Sequence, residues 1–226
     1  MAFIRPYKPS DFEAMARICR DTMPPSLQAS EPARRVGPYL WTHPFTHLSP
    51  QTCFVLDSGS GSDPVGYCIG CPDIAAFCAA WPSYVSSILD PSPEVQPPKW
   101  EDRGTKAPWL LDDGQINETA LAQMAYQAEW LLLNGQEDLM EEGYKATMHI
   151  DLLDEWQGKG WGRKLIEAFV ESVKAARQQQ DGSVSRGIWI GVAADNSKVV
   201  PFYQKQGFKI KERRKQSKST TMVREY

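Results

Sequence analysis

The sequence has little of what would direct it to a membrane, a nucleic acid or an oxidising compartment. No window of its 226 residues approaches the roughly 18 apolar residues of a membrane span, and no signal peptide opens it. A membrane partner is therefore not expected. Net charge is only −3, so no general polyanion-binding surface is implied. The one basic cluster, Lys209 to Lys218 with Lys211, Arg213, Arg214 and Lys215, reads as a solvated strand end and hairpin, and no nucleic-acid partner is expected. Cysteines number five, odd and scattered, which fits a reducing cytoplasmic setting, with the nucleus left open. Cys68 and Cys71 form C-x-x-C but lack a second pair or a nearby histidine, and read as buried small residues. The three histidines, at 43, 47 and 149, are too few and too unsupported to suggest a metal site.

Against these absences stands Gln157-Gly158-Lys159-Gly160-Trp161-Gly162. It lies between an apolar run, Ala146 to Leu153, and an amphipathic helix from Arg163 to about Arg177. A strand that turns through glycines into a helix exposes backbone N–H groups at the helix N-terminus, backed by the helix dipole. Glycine supplies the backbone angles and the close approach of a phosphate. The dinucleotide pattern G-x-G-x-x-G and the P-loop pattern G-x-x-x-x-G-K-[ST] are both absent. The pattern present is Q-x-x-G-x-G, carried by Gln157, Gly160 and Gly162. It resembles the acyl-CoA loop of the GNAT acetyltransferases.

That resemblance implies acetyl-CoA as co-substrate. The loop amides from Gln157 through Gly158, Lys159, Gly160, Trp161 and Gly162 to Arg163 would hold its pyrophosphate. The strand end at Leu152 and Leu153 would pair with the pantetheine arm. A second signature follows downstream. Gly187 to Val192 is β-rich, and after it come Asn196 and a short helix containing Phe202-Tyr203, then Gly207-Phe208. By resemblance, Asn196 contacts the cofactor arm and the Tyr203 hydroxyl is the general acid near the cofactor sulfur. Read without the resemblance, Tyr203 is a core aromatic on a short helix. Pro201 restricts that helix, which should begin near Ser197 or Lys198.

The N-terminus agrees. Phe3 to Tyr7 reads as a strand, and Ser10 with Glu13 as a capping box opening a helix whose Phe12, Met15, Ala16 and Cys19 share one face. Cys53 to Leu56 and Val65 to Ile69 read as a hairpin around a Gly/Ser-rich turn. With Val36 to Leu40 and His149 to Leu153, these segments are similar to one GNAT branch, the acetyltransferase-like C-terminal domain of O-GlcNAcase and its free-standing microbial relatives. The similarity covers roughly 1–73 and 144–210. Between them, approximately 74–143, lies a proline-rich insertion with two helical segments, about Ile74–Leu89 and Asn117–Leu132. It reads as a lid or wall of the cleft, or as a spacer or oligomer contact.

The expected fold is α/β: one GNAT domain over 1–226, with a mixed, mostly antiparallel sheet splayed between strands 4 and 5. Helices cover both faces, and the helical insertion lies between strands 3 and 4. The expected chemistry is transfer of an acetyl group from acetyl-CoA to a primary amine by direct attack in a ternary complex. A protonated amine cannot attack, so a base is needed. Candidates are His149, Asp151 and Asp73. His149 and Asp151 share a strand face, while the neighbouring register, Ala146 and Met148, is apolar. Either a bulge re-aims them, or they form a structural set with the base elsewhere. Asp73 could bind the amine, or simply cap the helix at Ile74. An amino sugar such as glucosamine is one expected acceptor, by analogy of fold. A protein lysine, a histone tail or an N-terminus is the alternative acceptor, and an inactive CoA-binding regulatory module the alternative class. A homodimer is left open.

Overall fold

The computed structural model describes residues 1–61, 63–99, 105–178, 185–214 and 219–226. The strands expected at the N-terminus form there: β1 is Phe3–Pro6, and β2 and β3, Phe54–Asp57 and Pro64–Cys71, are the hairpin around the Gly/Ser turn. Between β1 and β2 lie four helices, α1 (Phe12–Thr22), α2 (Pro25–Gln28), α3 (Glu31–Trp41) and α4 (His43–Leu48). The insertion contributes α5 (Ile74–Ala79), α6 (Trp81–Tyr84), α7 (Glu118–Tyr126) and α8 (Glu137–Glu141). Then follow β4 (Tyr144–Leu152), α9 (Trp161–Gln178), β5 (Gly187–Ala193), α10 (Val200–Lys205), β6 (Lys209–Ile210) and β7 (Ser219–Glu225).

The strands make one seven-stranded sheet in the order β1-β2-β3-β4-β5-β7-β6. Every neighbouring pair is antiparallel except β4 and β5, which run parallel. Side chains alternate along a strand, so each face of the sheet builds its own core. On one face Tyr67, Ile69 and Cys71 of β3 pack with Met15 and Ile18 of α1 and Val36 and Leu40 of α3. On the other, Cys68, Ala146, Met148, Ile188 and Ile190 pack with Leu165, Ile166, Phe169 and Val173 of α9. Cys68 and Cys71 thus face opposite ways, and all five cysteines are free and buried.

The insertion is part of the first core. Phe77 stacks on Phe45 with ring centroids 4.9 Å apart, Trp81 Nε1 donates to the Ala125 carbonyl at 3.0 Å, and the Tyr84 hydroxyl donates to the Tyr39 carbonyl at 2.8 Å. Leu121 and Ala125 of α7 are fully buried in the same cluster. The insertion therefore forms a packed wall on this face. Its two expected helical segments are present but interrupted, at Ala80 before Trp81-Pro82 and at Gln127, where the backbone turns extended.

The capping box expected from Ser10 and Glu13 does not form. A 3₁₀ turn over Pro9–Asp11 moves the start of α1 to Phe12, with Asp11 at the cap. Asp11 instead turns inward. Its carboxylate accepts from Arg5 Nη1 and Nη2 at 2.7 and 2.9 Å and from the Lys8 amide at 2.8 Å. Arg5 Nε donates to Asp57 at 2.8 Å, and Asp57 also accepts from the Gly59 amide at 2.9 Å. This buried set ties β1 to β2 and to the entry of α1.

Removing one member of a buried charged set leaves the others unpaired, at a cost of about 3–5 kcal/mol. Arg5→Ala should therefore lower the unfolding free energy measured by urea titration by about 3–5 kcal/mol, with a lower midpoint. An unchanged midpoint would show that the set contributes nothing to the fold.

Candidate functional site

The site forms where β4 and β5 part. Their ladder consists of Tyr144↔Gly187, Ala146↔Ile188 and Thr147↔Trp189. The Thr147 hydroxyl donates to the Trp189 carbonyl at 3.0 Å on the last rung. Beyond it, β5 stays with β7 as far as Ala193↔Ser219, while β4 stays with β3 as far as Gly66↔Leu152. Met148 to Leu152 thus have a strand on one side only, and the sheet opens into a V.

One irregularity precedes the opening. The register shifts between Tyr144 and Ala146, which pair with the consecutive residues Gly187 and Ile188 and face opposite cores. Such a bulge bends a strand and increases its twist. It lies upstream of His149 and Asp151, whose pairing with Ile69 and Tyr67 is regular. No bulge re-aims them. They face the α1 side by ordinary alternation.

There they form a polar group. His149 Nε2 lies 2.9 Å from Asp151 Oδ2, and the Tyr67 hydroxyl donates to that same oxygen at 2.6 Å. Tyr67 OH is also 3.3 Å from Thr42 Oγ1. Tyr67 and Thr42 have no exposed surface, whereas the His149 side chain is 41% exposed and that of Asp151 19%. Burial disfavours the charge on each member of the His–Asp pair, but their attraction and shared hydrogen bond outweigh it. His149 is therefore raised above the ordinary imidazole value and Asp151 lowered below the ordinary carboxylate value. An ionised carboxylate has no proton to give, so neutral His149 carries its proton on Nε2 and leaves Nδ1 as an acceptor. Sequence spacing pointed to His149 and Asp151; Tyr67, on another strand, was missed.

Asp73 is not part of this group. It caps α5, accepting from the Ala75 and Ala76 amides at 2.9 and 3.1 Å, with Lys145 Nζ at 3.8 Å. It follows the far end of β3, beyond the Cys71↔Thr147 pair, several residues along the sheet from the Tyr67↔Asp151 pair.

At the other end of the V, β4 runs into the glycine turn. Leu152 closes the β3 ladder, and the Leu153 amide continues it to the Val65 carbonyl at 3.0 Å. A 3₁₀ turn over Asp154–Trp156 follows. Gln157 braces the bend: its Nε2 donates to the Leu152 carbonyl at 2.8 Å and to Asp154 Oδ1 at 3.1 Å. Gly158 and Gly160 take φ of 69° and 81°, the left-handed region that side chains resist, and a Cβ on either would meet open space. Lys164 N reaches back to the Gly160 carbonyl at 3.5 Å, so the earlier N–H groups of α9 lie before its first intrahelical bond. The first turn of α9 has no acidic residue, while Lys159, Arg163 and Lys164 are basic. Lys159 and Lys164 lie over the Trp156 and Trp161 rings, 5.6 and 4.5 Å from the centroids. Gly162 has a packing reason: a Cβ there would come within 3.0 Å of Phe202.

Phe202 and Tyr203 belong to α10, which packs against the α9-side core below the V. Pro201 lies in its first turn, as expected, but the α-helix begins at Val200 and not near Ser197 or Lys198, which lie in a preceding 3₁₀ segment over Ala194–Val199 with exposed Asn196. Tyr203 is half-buried, edge-on to Phe202 and Phe208. Burial, with Cys68 and Asp151 as electrostatic neighbours, raises its phenol above the ordinary value. Tyr203 and Asp151 therefore share one electrostatic environment.

Three members of the basic cluster are paired within the fold. Arg213 donates to Asp138, Gln136 and the Gly135 carbonyl, Lys211 pairs with Glu142, and Arg214 with Glu141. Lys215 and Lys218 lie outside the described residues. Asp138 and Glu141 of α8 and Glu142 just after it are thereby paired as well. Among the described residues no group of three His, Cys, Asp or Glu side chains is placed to hold a metal, and no helix is long and apolar enough to cross a membrane.

Comparison with known proteins agrees with this geometry. Residues 120–210 match the family described as Acetyltransferase (GNAT) domain. The crystal structure of SsHAT is similar over 99% of this chain and 98% of its own, at 26% identity and a TM-score of 0.74. PaiA N-acetyltransferase from Thermoplasma acidophilum, solved in complex with coenzyme A, shares the fold over 100% of this chain and 99% of its own, at 12% identity and a TM-score of 0.51. PH1933 from Pyrococcus horikoshii OT3 does so over 100% and 99%, at 14% identity and a TM-score of 0.51. With its sheet opened at one parallel pair and its glycine turn at the end of β4, this chain has the GNAT fold, and its residues 120–210 carry the match to the GNAT acetyltransferase domain.

Proposed function

We propose that this protein transfers an acetyl group from acetyl-CoA to a primary amine by direct attack. The observation that carries the reading is the unpaired edge of β4 from Met148 to Leu152, leading into a turn whose helix-terminal amides have no acidic neighbour in the first turn. Cations at a helix N-terminus oppose the helix dipole, so Lys159, Arg163 and Lys164 are unfavourable there until an anion binds. The amides of Gly158 to Arg163 and these side chains suit a pyrophosphate. The free edge at Leu152 and Leu153 suits the amide groups of a pantetheine arm, with Asn196 on the opposite wall. Acetyl-CoA supplies the activated acyl group.

The chain's own residues then manage two protons. The acceptor amine must lose one to attack, and His149 Nδ1 takes it while Asp151 stabilises the imidazolium. The new C–N bond forms as the C–S bond breaks, and the leaving thiolate takes the Tyr203 proton. The raised phenol keeps that proton in place throughout the neutral range. A covalent cysteine route is disfavoured because burial raises every thiol, Cys19, Cys53 and Cys78 to about 12 and Cys68 and Cys71 further. Asp73, occupied as a helix cap, has no part in this scheme.

The acceptor class follows from charge. Asp138, Glu141 and Glu142, which could have received a basic protein tail, are paired with Arg213, Arg214 and Lys211. A small amine is therefore favoured, and glucosamine is the first to test, on the O-GlcNAcase-like resemblance of the sequence.

Thiol release from acetyl-CoA should depend on added glucosamine more than on a lysine peptide. Tyr203→Phe should reduce kcat by about 100-fold or more with acetyl-CoA affinity unchanged. Undiminished turnover in that variant would remove Tyr203 from the reaction, and the absence of turnover with any amine would favour a CoA-binding regulatory role. The pH dependence has a definite sign. His149 must be neutral to accept a proton, so activity rises with pH through its raised pKa. Asp151→Asn removes the charge that raises it and should move this acid limb downward while lowering the maximum. An upward shift would contradict the assignment of His149.

A further inference from the structure

The reading of His149 as base leaves a buried group unexplained. Tyr67 has no exposed surface, yet its hydroxyl ends on a carboxylate and not on a backbone carbonyl. Tyr84, equally buried, shows the ordinary structural solution: its hydroxyl is satisfied by the Tyr39 carbonyl at 2.8 Å. The Tyr67 arrangement instead forms a polar chain from the core to the cleft, Thr42 to Tyr67 to Asp151 to His149, with successive separations of 3.3, 2.6 and 2.9 Å. Each link has one consistent direction. Asp151 Oδ2 can only accept, so both Tyr67 and His149 donate to it, and Thr42 is left to donate to the phenol oxygen.

We propose that Tyr67 is a positioning residue: its hydroxyl holds the Asp151 carboxylate in place and tempers its charge, so that His149 keeps its proton on Nε2 and offers Nδ1 to the acceptor amine. This rests on the reading of His149 as the base. Two donors on one oxygen share its charge. Without Tyr67 the carboxylate would bear more fully on His149, hold the imidazolium more tightly and delay its deprotonation as pH rises. It would also be free to rotate away from the ring. The buried side of the chain is built to stay still, since Thr42 is fully buried at the end of α3 and Tyr67 lies mid-strand between two paired neighbours.

The groups facing this chain do not compete with it. Thr22 and Cys19 approach from α1, while Cys68 of β3 and Tyr203 of α10, on the other face of the sheet, act on Asp151 only through space. Burial raises the Cys19 thiol to about 12, and Cys68, Tyr67 and Tyr203 also lie above their ordinary values. All remain protonated through the neutral range, which leaves His149 as the titrating member.

The test is the Tyr67→Phe variant of the full chain, which keeps the ring and removes one oxygen. His149 is followed by proton NMR across pH, its signal assigned by loss in His149→Gln. The midpoint should rise by about half a unit. The acid limb of kcat/KM should rise with it, and kcat/KM at neutral pH should fall about tenfold, in the range for residues that orient a reacting group. Acetyl-CoA affinity should be unchanged. Thr42→Val, which weakens Tyr67 as a donor without touching Asp151, should produce a smaller shift in the same direction, and serves if Tyr67→Phe does not fold. A His149 midpoint that stays put or falls in the folded variant would overturn the proposal. The NMR titration needs no turnover, so it stands apart from a failure of the acetyl-transfer reading, which would show as wild-type protein inactive with every amine.

Discussion

The site depends on where one ladder stops. Among the described residues β4 and β5 are the only parallel neighbours in the sheet, and their pairing ends at Thr147↔Trp189. Past that rung each strand keeps its outer partner, β3 for β4 and β7 for β5, so the sheet survives the opening. An unpaired strand edge is costly when buried and hazardous when exposed, because its N–H and C=O groups seek a partner. Here the edge leads straight to a helix N-terminus whose amides face the same problem. One extended ligand with amide groups along its length and phosphates at its end answers both. The bulge at Lys145, the positive-φ glycines and the side-chain brace from Gln157 all shape that opening.

The two faces of the sheet divide the work. On the α9 side the core is apolar, and Gly162 lets Phe202 approach closely enough for α10 to hold Tyr203 beneath the cleft. On the α1 side the core encloses Thr42 and Tyr67, whose hydroxyls lead outward to Asp151 and His149. Under the proposed reaction, the group that takes the amine proton and the group that gives one to the thiolate would stand on opposite sides of one cleft. The insertion, with α5, α6 and α7 packed against α3 and α4, forms the wall behind the His149 side.

What was legible in the sequence was local. The glycine turn, the strand before it and the helix after it are contiguous, and the Asn196-to-Phe208 signature is too. Their spacing therefore carried the fold and the expected cofactor site. The hairpin at β2 and β3, the face of α1 and the helical character of the insertion were readable for the same reason. What was not legible depends on distant pairings. Tyr67 meets Asp151 across 84 residues, and Arg213 meets Asp138 across 75. Each looked ordinary alone, a strand tyrosine in one case and a solvated strand end and hairpin in the other. The capping box at Ser10 and Glu13 failed because Arg5 drew Asp11 inward, a tertiary demand that overrode a local preference. Asp73 fell the other way, its helix cap visible in the sequence and present in the structure.

The most direct test of the account is calorimetric titration of acetyl-CoA into the protein and into Gly160→Asp. The substitution places a carboxylate, and a side chain at positive φ, where the phosphates should lie. The account predicts saturable binding to the wild type and binding weakened at least tenfold in a variant that still folds. Failure of the wild type to bind, or equal affinity in the variant, would contradict it, because the open edge of β4 and the turn that follows would then serve some other end.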